Sequence, residues 1–454
     1  MATAAAVTGI ERQRFFGRLL ERLRESRAGT DALFKIVRPE ALYDRPIAER
    51  HRIVFYVGHL EAFDLNLLGS ALGLKPFQPE FDRLFAFGID PVDGGLPQDQ
   101  PADWPRLDLI TAYVHRVRIG LDEHLTHAGT TAQPGLAQLL HVAIEHRLMH
   151  AETLAYMFHQ LPLERKIAQA EQRPPESRGV TPRMVEIPPG AVTLGRSRTP
   201  TPAESEEEFG WDNEFEANTA EVPGFRIDVY NVTNRQFLEF MRAGGYSEKS
   251  LWSPSDWQWL QSEGVRHPRF WIAKGNGEQW SWGTMFEERP LPLDWPVYVS
   301  HAEASAYARW QGKALPTEAQ FHRAAYGHPG GQAQEREYPW GGELPAGDHG
   351  NFDFQRWDPT PVGSYPAGRS AFGVEDLVGN GWEWTATVFA AFPGFQPFGF
   401  YPGYSANFFD GKHYVMKGGS SRTAACMLRR SFRNWFQPHY PFVYATFRCV
   451  TSSG

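Results

Sequence analysis

Apolar residues recur three and four positions apart in four segments of the first third of the chain: Gln13–Leu23, Ile47–Leu72, Asp108–His124 and Leu136–Leu161. That spacing predicts helices with one apolar face each. Four such segments, separated by stretches containing Pro and Gly, predict a four-helix bundle over residues 1–165. Pro76, Pro79, Pro91, Pro97, Pro101 and Pro105 lie between the second and third segments, so a long loop joins them. Loops of that size usually carry function. A charged, Pro-containing stretch over residues 166–182 reads as a linker. From 183 to 454 the helical period gives way to short apolar runs bounded by Gly, Pro or Asn. Met184–Ile187, Phe225–Val229, Val297–Val299 and Tyr414–Lys417 predict strands, and Asn234–Ala243 and Ala302–Gln311 predict helices. The expected fold is multidomain, a helical bundle followed by an α+β domain rich in irregular structure.

Composition narrows the class. A length of 454 residues suits two cores better than one. With 43 Gly, 35 Pro and 14% aromatic residues, much of the chain is expected to be built of loops packed through aromatic rings. A net charge of −8 argues against a general nucleic-acid binder, whose affinity rests on neutralising phosphates. No apolar run reaches membrane-spanning length, and Met1–Gly9 has no basic segment leading into a long apolar one. A soluble, cytoplasmic protein is expected, with neither nucleic acid nor membrane as partner. The two cysteines, Cys426 and Cys449, suit a reducing compartment and are too few for a disulfide scaffold or a four-cysteine zinc site. They leave room for one disulfide.

Chemistry enters at His146-x-x-x-His150, inside the fourth helical segment. Residues four apart share a helix face, so both imidazoles can address one ion. His59, in Tyr56-Val-Gly-His59-Leu60 on the second segment, can supply a third nitrogen from across the bundle. In a chain with 16 histidines such a pair also arises by accident. Imidazole serves zinc, iron, copper and nickel alike, so spacing leaves open both the site and its metal.

Six phrases of the second half occur in a recognisable order: Trp211-Asp-Asn-Glu214, Phe225-Arg-Ile-Asp-Val-Tyr-Asn-Val-Thr-Asn234, Gly312-Lys-Ala-Leu-Pro-Thr-Glu318, Gly379-Asn-Gly-Trp-Glu-Trp-Thr385, Lys417-Gly-Gly-Ser420 and Phe447-Arg448. Residues 183–454 thereby resemble the C-type-lectin-like domain of formylglycine-generating enzymes and sulfatase-modifying factors. Most of these residues read as fold determinants. Cys426 and Cys449 stand too far apart to match the cysteine pair of the formylglycine generators, so that activity is not expected. A DinB-like four-helix bundle fused to such a domain resembles the iron-dependent sulfoxide synthases of ergothioneine and ovothiol biosynthesis, whose architecture the selenoneine synthases share. The resemblance implies Fe(2+) on a Gly-His-Leu element and a later His-x-x-x-His, here His59, His146 and His150. It also implies that Arg433-Asn434-Trp435-Phe436 holds hercynine, the trimethylated histidine. Asn434 would supply a hydrogen bond, and Trp435 and Phe436 the aromatic faces that recognise a trimethylammonium.

Three departures bear on the reaction. Relatives that use γ-glutamylcysteine resemble one another in an arginine-rich stretch, whose guanidinium forks suit carboxylates. Here Phe85–Gly95 has no arginine and two aspartates, Arg83 being the nearest candidate. The segment after Trp435 is equally poor in arginine. An anionic dipeptide donor is therefore not expected, and the resemblance to selenoneine synthases implies instead a neutral selenosugar of the 1-selenoglucose type, joined to hercynine by O₂-dependent C–Se bond formation. An ergothioneine-type synthase using cysteine or another thiol is the first alternative, and a lectin-like protein that captures a ligand without catalysis is the second. The tyrosine of a Tyr-Pro-Gly-Phe phrase in relatives is Phe392 here, which leaves the general acid unassigned, and Met149 stands where relatives often carry Gln.

Overall fold

The computed structural model describes residues 2–86, 95–128, 135–170, 172–198, 209–275, 277, 279–330 and 335–453, with side chains from residue 13 onward. They form two compact units, one reaching to Gln169 and including Phe209, the other built from Ala170 onward.

The first unit consists of α1 (Ala2–Phe34), α2 (Ile53–Leu72), α3 (Pro79–Leu84), α4 (Leu107–Ala128) and α5 (Leu136–His159). Helix α1 packs on α5, and α2 packs on both α4 and α5, which makes a four-helix bundle with the short α3 laid against α2. Leu19, Leu23, Val54, Leu68, Ile110, Leu121, Leu140 and Leu154 fill its centre. Each such side chain stabilises the fold by about 1.5–3 kcal/mol on burial. Helix α2 begins at Ile53, later than the Ile47 expected from its apolar spacing. The Ile53 N–H bonds outward to the Asp44 carbonyl at 3.1 Å, and the Arg52 guanidinium donates to the Tyr43 carbonyl at 2.8 Å. Those bonds close residues 44–52 into a loop. The helix stops at Gly73, whose φ of 68° ends it in the left-handed region. No helix among the described residues is long and apolar enough to cross a membrane.

In the second unit the first four strands are β1 (Met184–Ile187), β2 (Gly190–Leu194), β3 (Asn218–Val222) and β4 (Phe225–Asp228). A hairpin-like trio follows, β5 (Trp271–Lys274), β6 (Gln279–Gly283) and β7 (Glu288–Pro290). The last five are β8 (Gly381–Val388), β9 (Tyr414–Gly419), β10 (Asn434–Phe436), β11 (Ala445–Thr446) and β12 (Val450–Ser452). They assemble into four small sheets, with orders β1-β4-β12, β2-β3, β5-β6-β7 and β10-β9-β8-β11. Helices α6 (Asn234–Arg242), α7 (Pro254–Ser262), α8 (His301–Trp310) and α9 (Glu318–Tyr326) pack among them. Thr233, Ser300 and Thr317 start α6, α8 and α9 through capping boxes with Gln236, Glu303 and Gln320.

The run Val297–Val299 is buried but belongs to no sheet. Val297 N–H bonds to Val232 and Val299 N–H to Ala445, each at 2.9 Å, so its bonds are spent on two different elements and no ladder forms. The expected fold determinants are buried and paired. Arg448 grips Glu383 with two 2.7 Å bonds, both side chains fully buried, and also donates to the carbonyls of Asp228, Val229 and Glu375. Asn380, at φ 66°, accepts from Thr360 N–H at 2.8 Å, and the Trp384 indole donates to the Val299 carbonyl at 2.9 Å.

Candidate metal centre

His59 lies on the second turn of α2, and His146 and His150 lie one turn apart on α5. All three are buried, and one ring nitrogen from each falls within 4.8 Å of the others. The Nε2 atoms of His146 and His150 are 3.1 Å apart. Two nitrogens each about 2.1 Å from one ion, at right angles, stand about 3 Å apart, so this spacing fits shared coordination. Nδ1 of His59 donates to the Phe85 carbonyl at 2.6 Å, which leaves Nε2 as the lone-pair nitrogen. That Nε2 is buried with no hydrogen-bond partner. A buried, unsatisfied acceptor is costly unless something else takes its lone pair.

Aromatic rings fix the imidazoles. Phe55 stacks on His59 at 4.7 Å, Phe63 stacks on His146 at 3.4 Å, and Tyr56 meets His150 edge-on at 5.5 Å. Gly58 has a steric purpose here, since a Cβ at that position would fall 2.6 Å from the Phe85 ring. Burial in this apolar shell pushes the His59 imidazole down to about 4 and those of His146 and His150 well below their usual value. All three are neutral near pH 7, the form a metal requires. Three neutral imidazoles fit a borderline divalent ion.

Behind the histidines lies a charge network that sequence reasoning missed. Arg147, between His146 and His150 on α5, bonds Glu61 at 2.9 Å and Asp64 at 2.7 Å, and all three side chains are 1% exposed or less. Arg147 also donates to the Leu60 carbonyl next to His59 at 3.0 Å. Arg118 of α4 reaches Glu61 at 2.8 Å and Asp31 of α1 at 2.7 Å, and Arg27 of α1 bonds Asp122 at 2.7 Å. The network ties all four long helices to one another. Burial opposes ionisation of Glu61, yet Arg147, Arg118 and Arg27 together hold its pKa at about 2. The available signal was a pair of acids and an arginine inside otherwise apolar helical stretches, since such charges must find partners within the core.

In the second unit Asn434, Trp435 and Phe436 form β10, the half-buried edge strand paired with Met416, Val415 and Tyr414 of β9. Trp435 stacks on Phe389 at 4.2 Å, with Tyr404 and Phe408 each 5.5 Å away, and Phe436 stacks on Tyr440 at 5.2 Å. One face of each ring is therefore already covered within the domain. The Asn434 side-chain oxygen accepts from the Trp435 N–H at 2.9 Å. Arg433 is bonded away from this strand, to Glu318 at 3.0 and 3.2 Å and to the Ala390 carbonyl at 3.0 Å. Phe392 is buried, with the Arg433 guanidinium 4.1 Å from its ring centre. Tyr404 stacks on Trp211 at 3.9 Å. Arg83 is exposed on α3, and Phe87–Gly94 of the arginine-poor stretch lie outside the described residues. Cys426 and Cys449 are both free thiols.

Residues 169–453 match the sulfatase-modifying factor enzyme 1-like domain, and the chain belongs to that family. Among curated proteins it is 40% identical over 246 residues to the hercynine oxygenase of Mycobacterium tuberculosis, covering 54% of this chain and 56% of that one. The hercynine oxygenase of Mycolicibacterium thermoresistibile is 34% identical over 312 residues, covering 68% and 67%. Ergothioneine biosynthesis protein 1 of Neurospora crassa is 27% identical over 489 residues, covering 90% and 55%. The matches thus span from little more than half to about two thirds of these relatives' lengths.

Proposed function

We propose that this protein is a non-haem iron enzyme that uses O₂ to join a chalcogen donor to the imidazole of hercynine, with Fe(2+) held by His59, His146 and His150 of a DinB-like bundle. One observation carries the reading: three buried, neutral imidazoles converge on a common point in a chain whose relatives are called hercynine oxygenases and ergothioneine biosynthesis proteins. Bound iron would make O₂ available as the oxidant that takes the electrons and protons released when the carbon–chalcogen bond replaces C–H and chalcogen–H bonds. The protein's own part is to keep the imidazoles unprotonated, exclude water with Phe55 and Phe63, and orient His59 through the Phe85 carbonyl. Asn434, Trp435 and Phe436 are proposed to contact hercynine. Their half-buried position in an aromatic cluster supports recognition of a trimethylammonium, about 0.5–2 kcal/mol per aromatic contact.

For the donor, a neutral selenosugar of the 1-selenoglucose type is the leading assignment. Asp90 and Asp93, with no arginine from Phe85 to Gly95, would repel a dicarboxylate such as γ-glutamylcysteine. The second reading is a sulfoxide synthase using cysteine or another thiol, favoured by the names of the relatives. The test is to load the protein with Fe(2+) anaerobically, add hercynine and O₂, and offer 1-selenoglucose, cysteine and γ-glutamylcysteine in parallel, scoring adducts by mass spectrometry. A dominant selenium adduct supports the leading assignment. A dominant sulfoxide moves it to the thiol reading, and no adduct with any donor overturns both.

A further inference from the structure

Two of the three histidines are fixed relative to each other by one turn of α5, so the adjustable member of the set is His59 on α2. Phe55 holds the plane of its ring, and one hydrogen bond, from Nδ1 to the Phe85 carbonyl, sets which nitrogen faces the other histidines. Phe85 caps the C-terminus of α3, a helix of only six residues. So short a helix is not stable by its own hydrogen bonds and must be held from outside. Helix α4 does this through Tyr113, whose hydroxyl donates to Asp82 Oδ1 of α3 at 2.8 Å. Both side chains are buried, and the other carboxylate oxygen, Oδ2, has no hydrogen-bond partner. The Tyr113 ring also lies against Phe81 at 5.5 Å and Phe85 at 6.0 Å.

We propose that Tyr113 is a positioning residue for the metal site, fixing α3 through Asp82 and thereby the Phe85 carbonyl that holds His59 with Nε2 directed at the ion. The proposal rests on the metal reading of the three histidines. A tyrosine present only to fill space would be replaced by phenylalanine without consequence, whereas the hydrogen bond makes a specific demand. Partners behind a ligating histidine typically change metal affinity 10–100-fold. Tyr113 acts at one remove, so loss of its hydroxyl should weaken binding by about tenfold, the lower end of that range.

The experiment uses the full chain, with Tyr113→Phe and the double variant Tyr113→Phe/Asp82→Leu. The double variant removes the carboxylate that the single one would strand in a buried place. Zn(2+) affinity is measured by competition with a chromophoric chelator, and the His59 tautomer by ¹⁵N-histidine NMR on metal-free protein. Whichever variant shows a cooperative thermal transition should bind Zn(2+) about tenfold more weakly than the unaltered chain. It should also lose the fixed Nδ1–H signal of His59. Unaltered affinity together with an unaltered His59 signal would overturn the proposal. Failure of the unaltered chain to bind Zn(2+) would instead count against the metal reading, and the NMR comparison would still decide whether Tyr113 orients His59.

Discussion

At the scale of single residues, the candidate site is a case of polarity tolerated in a core, by burial of neutral imidazoles and by pairing of the charges behind them. His59, His146 and His150 are kept neutral by burial, and His59 Nε2 has no hydrogen-bond partner, which suits the proposed metal ligation. Replacing His150 by Ala should abolish stoichiometric metal uptake. It should also abolish the stabilisation that metal gives the unaltered chain, about 2.7 kcal/mol at a hundredfold excess over Kd. Metal per chain and thermal midpoints with and without Fe(2+) check this. Arg448 teaches the structural counterpart. Truncation to Ala would strand Glu383 in a fully buried site, and breaking such a pair costs about 3–5 kcal/mol. Urea unfolding of Arg448→Ala against the unaltered chain gives that difference. A loss below 1 kcal/mol would mean that solvent reaches Glu383 on truncation.

At the scale of elements, helix periodicity in the sequence identified α2, α4 and α5 because their faces are plainly apolar, and the His-x-x-x-His spacing followed from the helix itself. Helix α3 was not legible. Pro79–Leu84 is too short to show a period, and it exists because α2 and α4 hold it. Gly58 is where α3 meets α2. Ala is intrinsically favoured over Gly within a helix by about 1 kcal/mol, so an open site would gain from Gly58→Ala. Here the added Cβ would meet the Phe85 ring, and overpacking of this kind costs about 1–3 kcal/mol. The expected outcome is a net loss of stability together with weaker metal binding, because Phe85 is pushed off His59. Urea midpoints and chelator competition measure the two effects, and a stabilised variant with unchanged affinity would refute the argument.

At the scale of the whole molecule, buried ionisable groups set the response to pH. His59 and His301 both have folded-state values of about 4, lowered first by burial, against an unfolded value near 6.5. Above about pH 6.5 they are neutral in both states, and as the pH falls toward 4 only the unfolded chain gains protons, so stability drops. His301 alone contributes roughly 3 kcal/mol of that loss. Glu61 and Glu214, held low by arginines against the effect of burial, extend the loss further into acid. Asp376, raised to about 6 by burial, acts in the opposite sense, as do Asp64, Asp212 and Glu303, but His146, His150 and His322, also lowered by burial, add to the loss. Urea midpoints at pH 7.5, 5.5 and 4.5 should fall steadily, and a flat profile would show that the histidines are solvated. The helical first unit, the irregular aromatic second unit and the family of the latter were legible in the sequence, and its motifs pointed to His59, His146 and His150, which the fold brings together. Apolar period, helical spacing and ordered motifs are local properties, written in consecutive residues. Only the tertiary structure decided that Phe85 orients His59, that Arg147, Glu61 and Asp64 join the helices, that Val297–Val299 forms no strand, and that Trp435 and Phe436 each have a covered face. Those facts depend on which distant residues meet, and neighbours along the chain carry no record of that.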